Sequence, residues 1–156
     1  RPRLEGAARR GTSLLTAAAV TIDVSAAAAW CLPDEADAIT DRLFVQAVDG
    51  DVVFQAPALW AWEAGNLLRT ACRRGRLTAS QMTGAIEALQ AARVALEAAP
   101  SGPRTAEILR LANAHGLTFY DAAYLEQAIR TDARLASRDA ALRRAAGETG
   151  VVCLDL

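Results

Sequence analysis

Apolar positions along the chain alternate between a strand period and a helix period. Val20-Thr21-Ile22-Asp23-Val24 is a short β-branched run interrupted by one acid, and reads as a buried strand with a carboxylate near its end. Residues 26–30 predict a short helix. A second helix opens at Pro33-Asp34, with Asp34, Glu35 and Asp37 in a first turn where the helix dipole favours acids. Its apolar positions Ile39, Leu43, Val45 and Val48 approximate one face, and Gly50-Asp51 ends it. Val52-Val53-Phe54 predicts the second strand, after which Pro57 starts a helix with Leu59, Trp62, Leu67 and Leu68 as its apolar positions, ending near Gly75. Thr78 caps the next helix, with Met82, Ile86, Leu89 and Val94 on one side. Residues 100–103 read as a linker, and a helix carrying Ile108, Leu109 and Leu111 then runs to His115-Gly116. Thr118-Phe119-Tyr120 approaches a helix over residues 121–131; residues 134–137 predict a strand, 139–146 a helix and 151–154 a last strand.

Strands alternating with helices predict one α/β domain, a parallel β-sheet flanked by helices on both faces. The length of 156 residues suits a single domain, and 53% hydrophobic against 22% charged residues excludes a disordered chain. Residues 1–19 differ, being rich in Arg, Gly and Ala with weak periodicity, and read as an N-terminal extension of unknown role ahead of a domain over 20–156. No apolar run approaches the roughly 20 residues of a membrane span. Residues 14–20 follow arginines as a signal peptide would, yet they run straight into the first strand without a cleavage region. The expectation is a soluble, cytoplasmic protein with no membrane partner.

Composition narrows the chemistry. All 17 basic residues are Arg. The absence of Lys excludes a P-loop and a Schiff-base lysine, and a single histidine, His115, excludes a multi-histidine zinc site. The net charge of −1 divides unevenly: residues 1–19 carry four Arg and one Glu (+3), and the rest carries 13 Arg and 17 acids (−4). A negative body argues against a broadly basic nucleic-acid binder, unless carboxylates hold a divalent metal that reverses the local sign. Cys31, Cys72 and Cys153 are odd in number and far apart, the pattern of free thiols in a reducing compartment.

Four acids fall where open parallel sheets build their sites, beyond the carboxyl ends of strands. Asp23 ends the first strand, Glu63 lies one to two turns into the helix after the second, Asp121 opens a helix, and Asp139 follows Leu135-Ala136-Ser137. Asp121 and Asp139 read equally well as capping acids. A charge inside an apolar strand, as at Asp23, costs several kcal/mol unless paired or metal-bound. Glu63 sits among Leu59, Trp60, Trp62, Leu67 and Leu68, and Asn66 at i+3 shares its face and can orient it. Carboxylates gathered without histidine or thiol prefer a hard cation, Mg²⁺ or Mn²⁺, which suits phosphodiester hydrolysis.

Thr21-Ile22-Asp23-Val24-Ser25, the Glu63-x-x-Asn66 helix after Pro57, Phe119-Tyr120-Asp121-Ala122-Ala123-Tyr124-Leu125, and Leu135-Ala136-Ser137-Arg138-Asp139 followed by Leu142 together resemble the PIN domain, most of all the VapC ribonuclease toxins of bacterial toxin–antitoxin pairs. The resemblance spans residues 20–156, and Tyr120-Asp121-Ala122-x-Tyr124-Leu125 is its most specific piece. It implies Mg²⁺- or Mn²⁺-dependent endonucleolytic cleavage of single-stranded RNA. Asp23, Glu63 and Asp121 would hold the metal, and Asp139 would complete the site or position a second ion and water. By the same resemblance Ser25, Ser137 and Asn66 support the site. Ser137 stands where many relatives carry Thr. The resemblance further implies a homodimer and a VapB-type antitoxin occupying a groove near the active site.

Other residues carry plainer readings. His115 before Gly116 suits a helix C-terminus. Trp60 and Trp62, two positions apart, cannot face the same way, and Trp30 is expected at the rim of the same region. Arg69, Arg73, Arg74 and Arg76 read either as a phosphate-binding group or as the basic end of a helix, and Arg138, Arg143 and Arg144 likewise. The competing functions are a catalytically silent PIN-like module that binds RNA or protein, and a receiver-type phosphoryl-transfer domain using Asp23. The missing Lys counts against the latter.

Overall fold

The computed structural model describes residues 18–156. Among these residues four strands and seven helices follow the expected alternation: β1 (Ala18–Ile22), α1 (Val24–Cys31), α2 (Ala38–Asp49), β2 (Val52–Pro57), α3 (Leu59–Arg73), α4 (Ala79–Ala91), β3 (Ala95–Glu97), α5 (Gly102–His115), α6 (Phe119–Arg130), β4 (Arg134–Ala136) and α7 (Ala140–Glu148). The sheet order is β3-β2-β1-β4, every pair parallel. Successive strands step outward from β1 to β3, and β4 then lies on the opposite side of β1. Such a reversal leaves a crevice beyond the carboxyl ends of β1 and β4.

Parallel strands covered on both faces are largely apolar, and in β1 Val20, Thr21 and Ile22 are all buried. The Thr21 hydroxyl is satisfied by the Gln55 amide at 3.1 Å. On one side α1 packs against α2, α3 and α4; on the other α6 packs against α5, α7 and the central strands. Residues 122–128 of α6 are all buried, so this helix forms the middle of its layer rather than its surface. Within it the Gln127 side-chain amide is fully buried, and neither polar atom finds a partner among the described residues.

Several element boundaries differ from the sequence expectation. Residues 1–17 of the predicted extension lie outside the described residues, and β1 already begins at Ala18. The second helix starts at Ala38 rather than Pro33, because Asp37 is the residue whose side chain accepts the first free N–H groups, those of Ile39 and Thr40. β2 continues through Pro57, which closes a strand instead of opening a helix. The linker at residues 100–103 is already helical from Gly102, with Pro103 in the first turn where no N–H is needed. β3 was not anticipated: Ala95-Leu96-Glu97 has no strand-like composition and is held only by pairing with β2. The expected last strand reduces to a single bridge between Leu135 and Cys153. Trp30 is not at the rim of the Trp60 region. It packs between Phe44 and Phe54, at ring-centroid distances of 5.5 and 5.2 Å, and its indole N–H donates to the Thr40 carbonyl. No helix among the described residues is long and apolar enough to cross a membrane.

Candidate functional site

The backbone leaves β1 at Asp23, whose N–H donates to the Ala136 carbonyl of β4 at 2.9 Å, so the ends of the two strands are tied together. Asp23 occupies the N-cap position of α1 in extended conformation, yet its side chain caps nothing. Its Oδ2 instead accepts from the Ser25 hydroxyl at 2.5 Å and from the Ser137 hydroxyl at 2.8 Å. Each serine has one hydroxyl proton, and both protons point at Asp23. The 3.4 Å approach of the two hydroxyl oxygens is therefore a contact, not a further bond. Ser25 accepts the Arg138 N–H, and Ser137 accepts the Asp139 N–H, at 2.9 and 3.0 Å. The carboxylate at the end of β1 is thus gripped from β4 as well as from α1, while only 8% exposed.

Glu63 lies in the second turn of α3 and is half-buried. Its Oε2 accepts from the hydroxyl of Tyr124, a residue of α6 that is itself buried. Burial raises the Glu63 pKa above the usual glutamate value; the Tyr124 hydrogen bond opposes that rise, and the negative charges of Asp23 and Asp121 add to it. The Tyr124 hydroxyl is pushed up strongly, first by burial and then by its bond to Glu63, and so stays a proton donor. Asp121 is the third residue of α6, not its first. Thr118 is the N-cap, accepting the Asp121 N–H at 3.1 Å and donating its hydroxyl to Asp121 Oδ2 at 2.7 Å.

The structure therefore brings Asp23 and Asp121, from β1 and α6, within electrostatic reach of Glu63 on α3. Asp139 is exposed and stands at the margin. Its Oδ1 caps α7 by accepting the Leu142 N–H at 2.8 Å, and it joins the group only through the Ser137 hydroxyl. The capping reading thus describes Asp139 and not Asp121.

Among the described residues none of these four carboxylates forms an ion pair with Arg, whereas other acids do. Asp34 and Glu35 hold Arg76, Asp37 and Glu35 hold Arg138, and Glu97 and Glu126 share Arg104 and Arg130. Arg76 and Arg138 are structural by this measure. Arg143 donates to the Ser137 and Leu154 carbonyls, Arg144 to that of His115, and His115 itself contacts Glu148 at 2.7 Å. The three cysteines are free, with burial raising the Cys31 thiol to about 11.

The donor set is wholly oxygen and anionic, which fits a hard divalent cation in chemistry. It is not a closed cage: among the described residues no group of three or more His, Cys, Asp or Glu side chains is disposed to hold a metal ion as it stands. Each carboxylate instead has an oxygen engaged by a hydroxyl or N–H of its own. Asn66 is exposed and makes no hydrogen bond to Glu63 among the described residues. The orienting partner is Tyr124, which sequence spacing did not single out, although its i+3 relation to Asp121 places both on one helical face. Asn66 lines a cleft of about 360 Å³ with Leu59, Trp62, Glu63 and Tyr120. Trp62 is 82% exposed there, while Trp60 is buried.

No protein-family model and no curated protein matches the chain. Among solved structures, the crystal structure of PAE2754 from Pyrobaculum aerophilum is similar, with 27% sequence identity and a TM-score of 0.63 over 83% of this chain and 80% of that one. The likeness covers most of both chains and supports the α/β architecture described above.

Proposed function

We propose that the protein is a Mg²⁺- or Mn²⁺-dependent endoribonuclease of the PIN type, acting as the toxin of a toxin–antitoxin pair in the cytoplasm. The observation that carries this reading is the approach of Asp23 and Asp121 to Glu63 from three distant elements, where burial and then these like charges raise the Glu63 pKa and no Arg among the described residues pairs with any of the three. Uncompensated like charges at one spot oppose folding, and such an arrangement is expected where a cation or a reaction requires it.

Asp23, Glu63 and Asp121 would hold the cation, with Asp139 at the margin. When bound, it would neutralise charge on the scissile phosphate and lower the pKa of a water. Ser25 and Ser137 keep the Asp23 carboxylate aimed out of the end of β1, Thr118 holds Asp121, and Tyr124 holds Glu63. These neutral donors fix orientation without cancelling the negative charge. Hydrolysis then requires attack by water at phosphorus and departure of the adjacent nucleoside oxygen.

The open arrangement of the acids favours the second reading, a PIN-like module that binds RNA or protein without cutting it. Incubation of single-stranded RNA with wild-type and Asp121→Asn protein across Mg²⁺ and Mn²⁺ separates the two. Metal-dependent cleavage by wild type, abolished in Asp121→Asn, supports the nuclease. Equal cleavage by both proteins refutes the mechanism, and binding without cleavage by either selects the silent module. The cognate antitoxin and the homodimer are parts of the same proposal, the latter tested by light scattering at micromolar concentration.

A further inference from the structure

The outward face of α3 carries residues that neither the fold nor the acidic group accounts for. Trp62, Asn66, Arg69 and Arg73 follow at spacings of four, three and four, which on a 3.6-residue helix confines them to about 60° of arc. All four are exposed, and they form a line about 16 Å long that starts beside Glu63. Arg69 and Arg73 have no ion-pair partner among the described residues. They stand at i,i+4 to each other, an arrangement of like charges that disfavours the helix. At the other end Trp62 shares its cleft with Tyr120, 61% exposed and adjacent in sequence to Asp121. Two large exposed rings therefore neighbour two of the three convergent acids.

We infer that this stripe is the track for an unpaired RNA strand: a base stacks on Trp62 in the cleft shared with Tyr120, the Asn66 amide faces the base edge, and Arg69 and Arg73 take backbone phosphates. The inference rests on the nuclease reading and names where its substrate lies. Single-stranded nucleic acid is bound by aromatic rings interleaved with cationic groups along one groove, and guanidinium forks match phosphate oxygens. A protein-docking face is organised differently, with an apolar centre depleted of charge and a polar rim. A chain of net charge −1 offers a phosphate backbone little general attraction, so two unpaired guanidiniums in line with an exposed ring are the local feature that supplies it.

The test is a fluorescence-anisotropy titration of a labelled single-stranded 12-nucleotide RNA, in Mg²⁺, with the 156-residue chain carrying Asp121→Asn to prevent cutting. Trp62→Ala in this background should weaken binding by about 5- to 100-fold, and Trp62→Phe should retain most of the affinity. Arg69→Ala with Arg73→Ala should flatten the dependence of log affinity on log salt by about 1.4. Arg110→Ala, an exposed arginine on α5 paired with Glu107, should change neither. Unchanged affinity and salt slope in the stripe variants, or no measurable binding by the parent, overturns the inference. So does a dimer that dissociates on Trp62→Ala while RNA affinity holds, which would assign the face to a second copy. Gels of wild type with the same RNA read the nuclease proposal separately: an uncut strand ends that proposal, while the stripe is judged on binding.

Discussion

The Tyr124 hydroxyl donates to Glu63 Oε2, joining α6 to α3 across 61 residues of sequence. Tyr124 is buried and its proton is firmly held, so the bond has one direction. Tyr124→Phe removes the donor and leaves the ring packed. We expect metal affinity or cleavage rate to fall by about 10- to 100-fold, as for other groups that orient a metal-binding side chain. Titration calorimetry with Mg²⁺ beside an RNA-cleavage time course checks it, and unchanged values in both would deny Tyr124 an orienting role.

Glu63 makes the folded chain sensitive to pH in a defined direction. Burial and the charges of Asp23 and Asp121 raise its folded-state pKa above that of the unfolded chain, despite Tyr124. As pH rises between the two values, the unfolded chain releases its proton first, so stability falls through that window and stays lower above it. Glu63→Gln retains an acceptor for Tyr124 and removes the charge. In chelator, thermal melts should show the variant more stable than wild type at pH 7, the difference vanishing below about pH 4. A variant less stable at neutral pH would contradict the electrostatic account.

Ser137 donates to Asp23 and accepts from the Asp139 N–H, with no exposure to solvent. Ser137→Ala deprives both groups at once and should cost about 1–3 kcal/mol, read from urea unfolding. Ser25 shares the same Asp23 oxygen, so the double variant Ser25→Ala/Ser137→Ala should depart from additivity. Additive losses would show that the two serines act independently.

Gln127 lies buried with both ends of its amide unpartnered among the described residues. Gln127→Met keeps the length and removes the polar atoms, and should stabilise the protein by about 1 kcal/mol in the same unfolding assay. Destabilisation would mean that the amide is satisfied in solution, for example by a buried water.

Local sequence determined the features whose physics is local. Residues 20–22 are β-branched and charge-free and so form a strand; Thr78 caps α4 because a hydroxyl oxygen there meets the Gln81 N–H; Gly116 ends α5 because φ of 64° suits a residue without Cβ. Asp23, Asp121 and Asp139 were legible because each lies at or near the start of a helix, and Glu63 because it is an acid set among apolar helix positions. What required the folded chain were relations between elements. β3 exists only because β2 supplies hydrogen bonds to three residues of no strand character, and residues 151–154 meet β4 at the single Leu135–Cys153 bridge, too short a pairing to make a strand. That Asp23 is held by Ser137 and Glu63 by Tyr124 follows from pairing β4 with β1 and from bringing Tyr124 of α6 to Glu63 of α3. Spacing along one helix reports which residues share a face; it carries no information on what another helix, some 60 residues away, presents to that face.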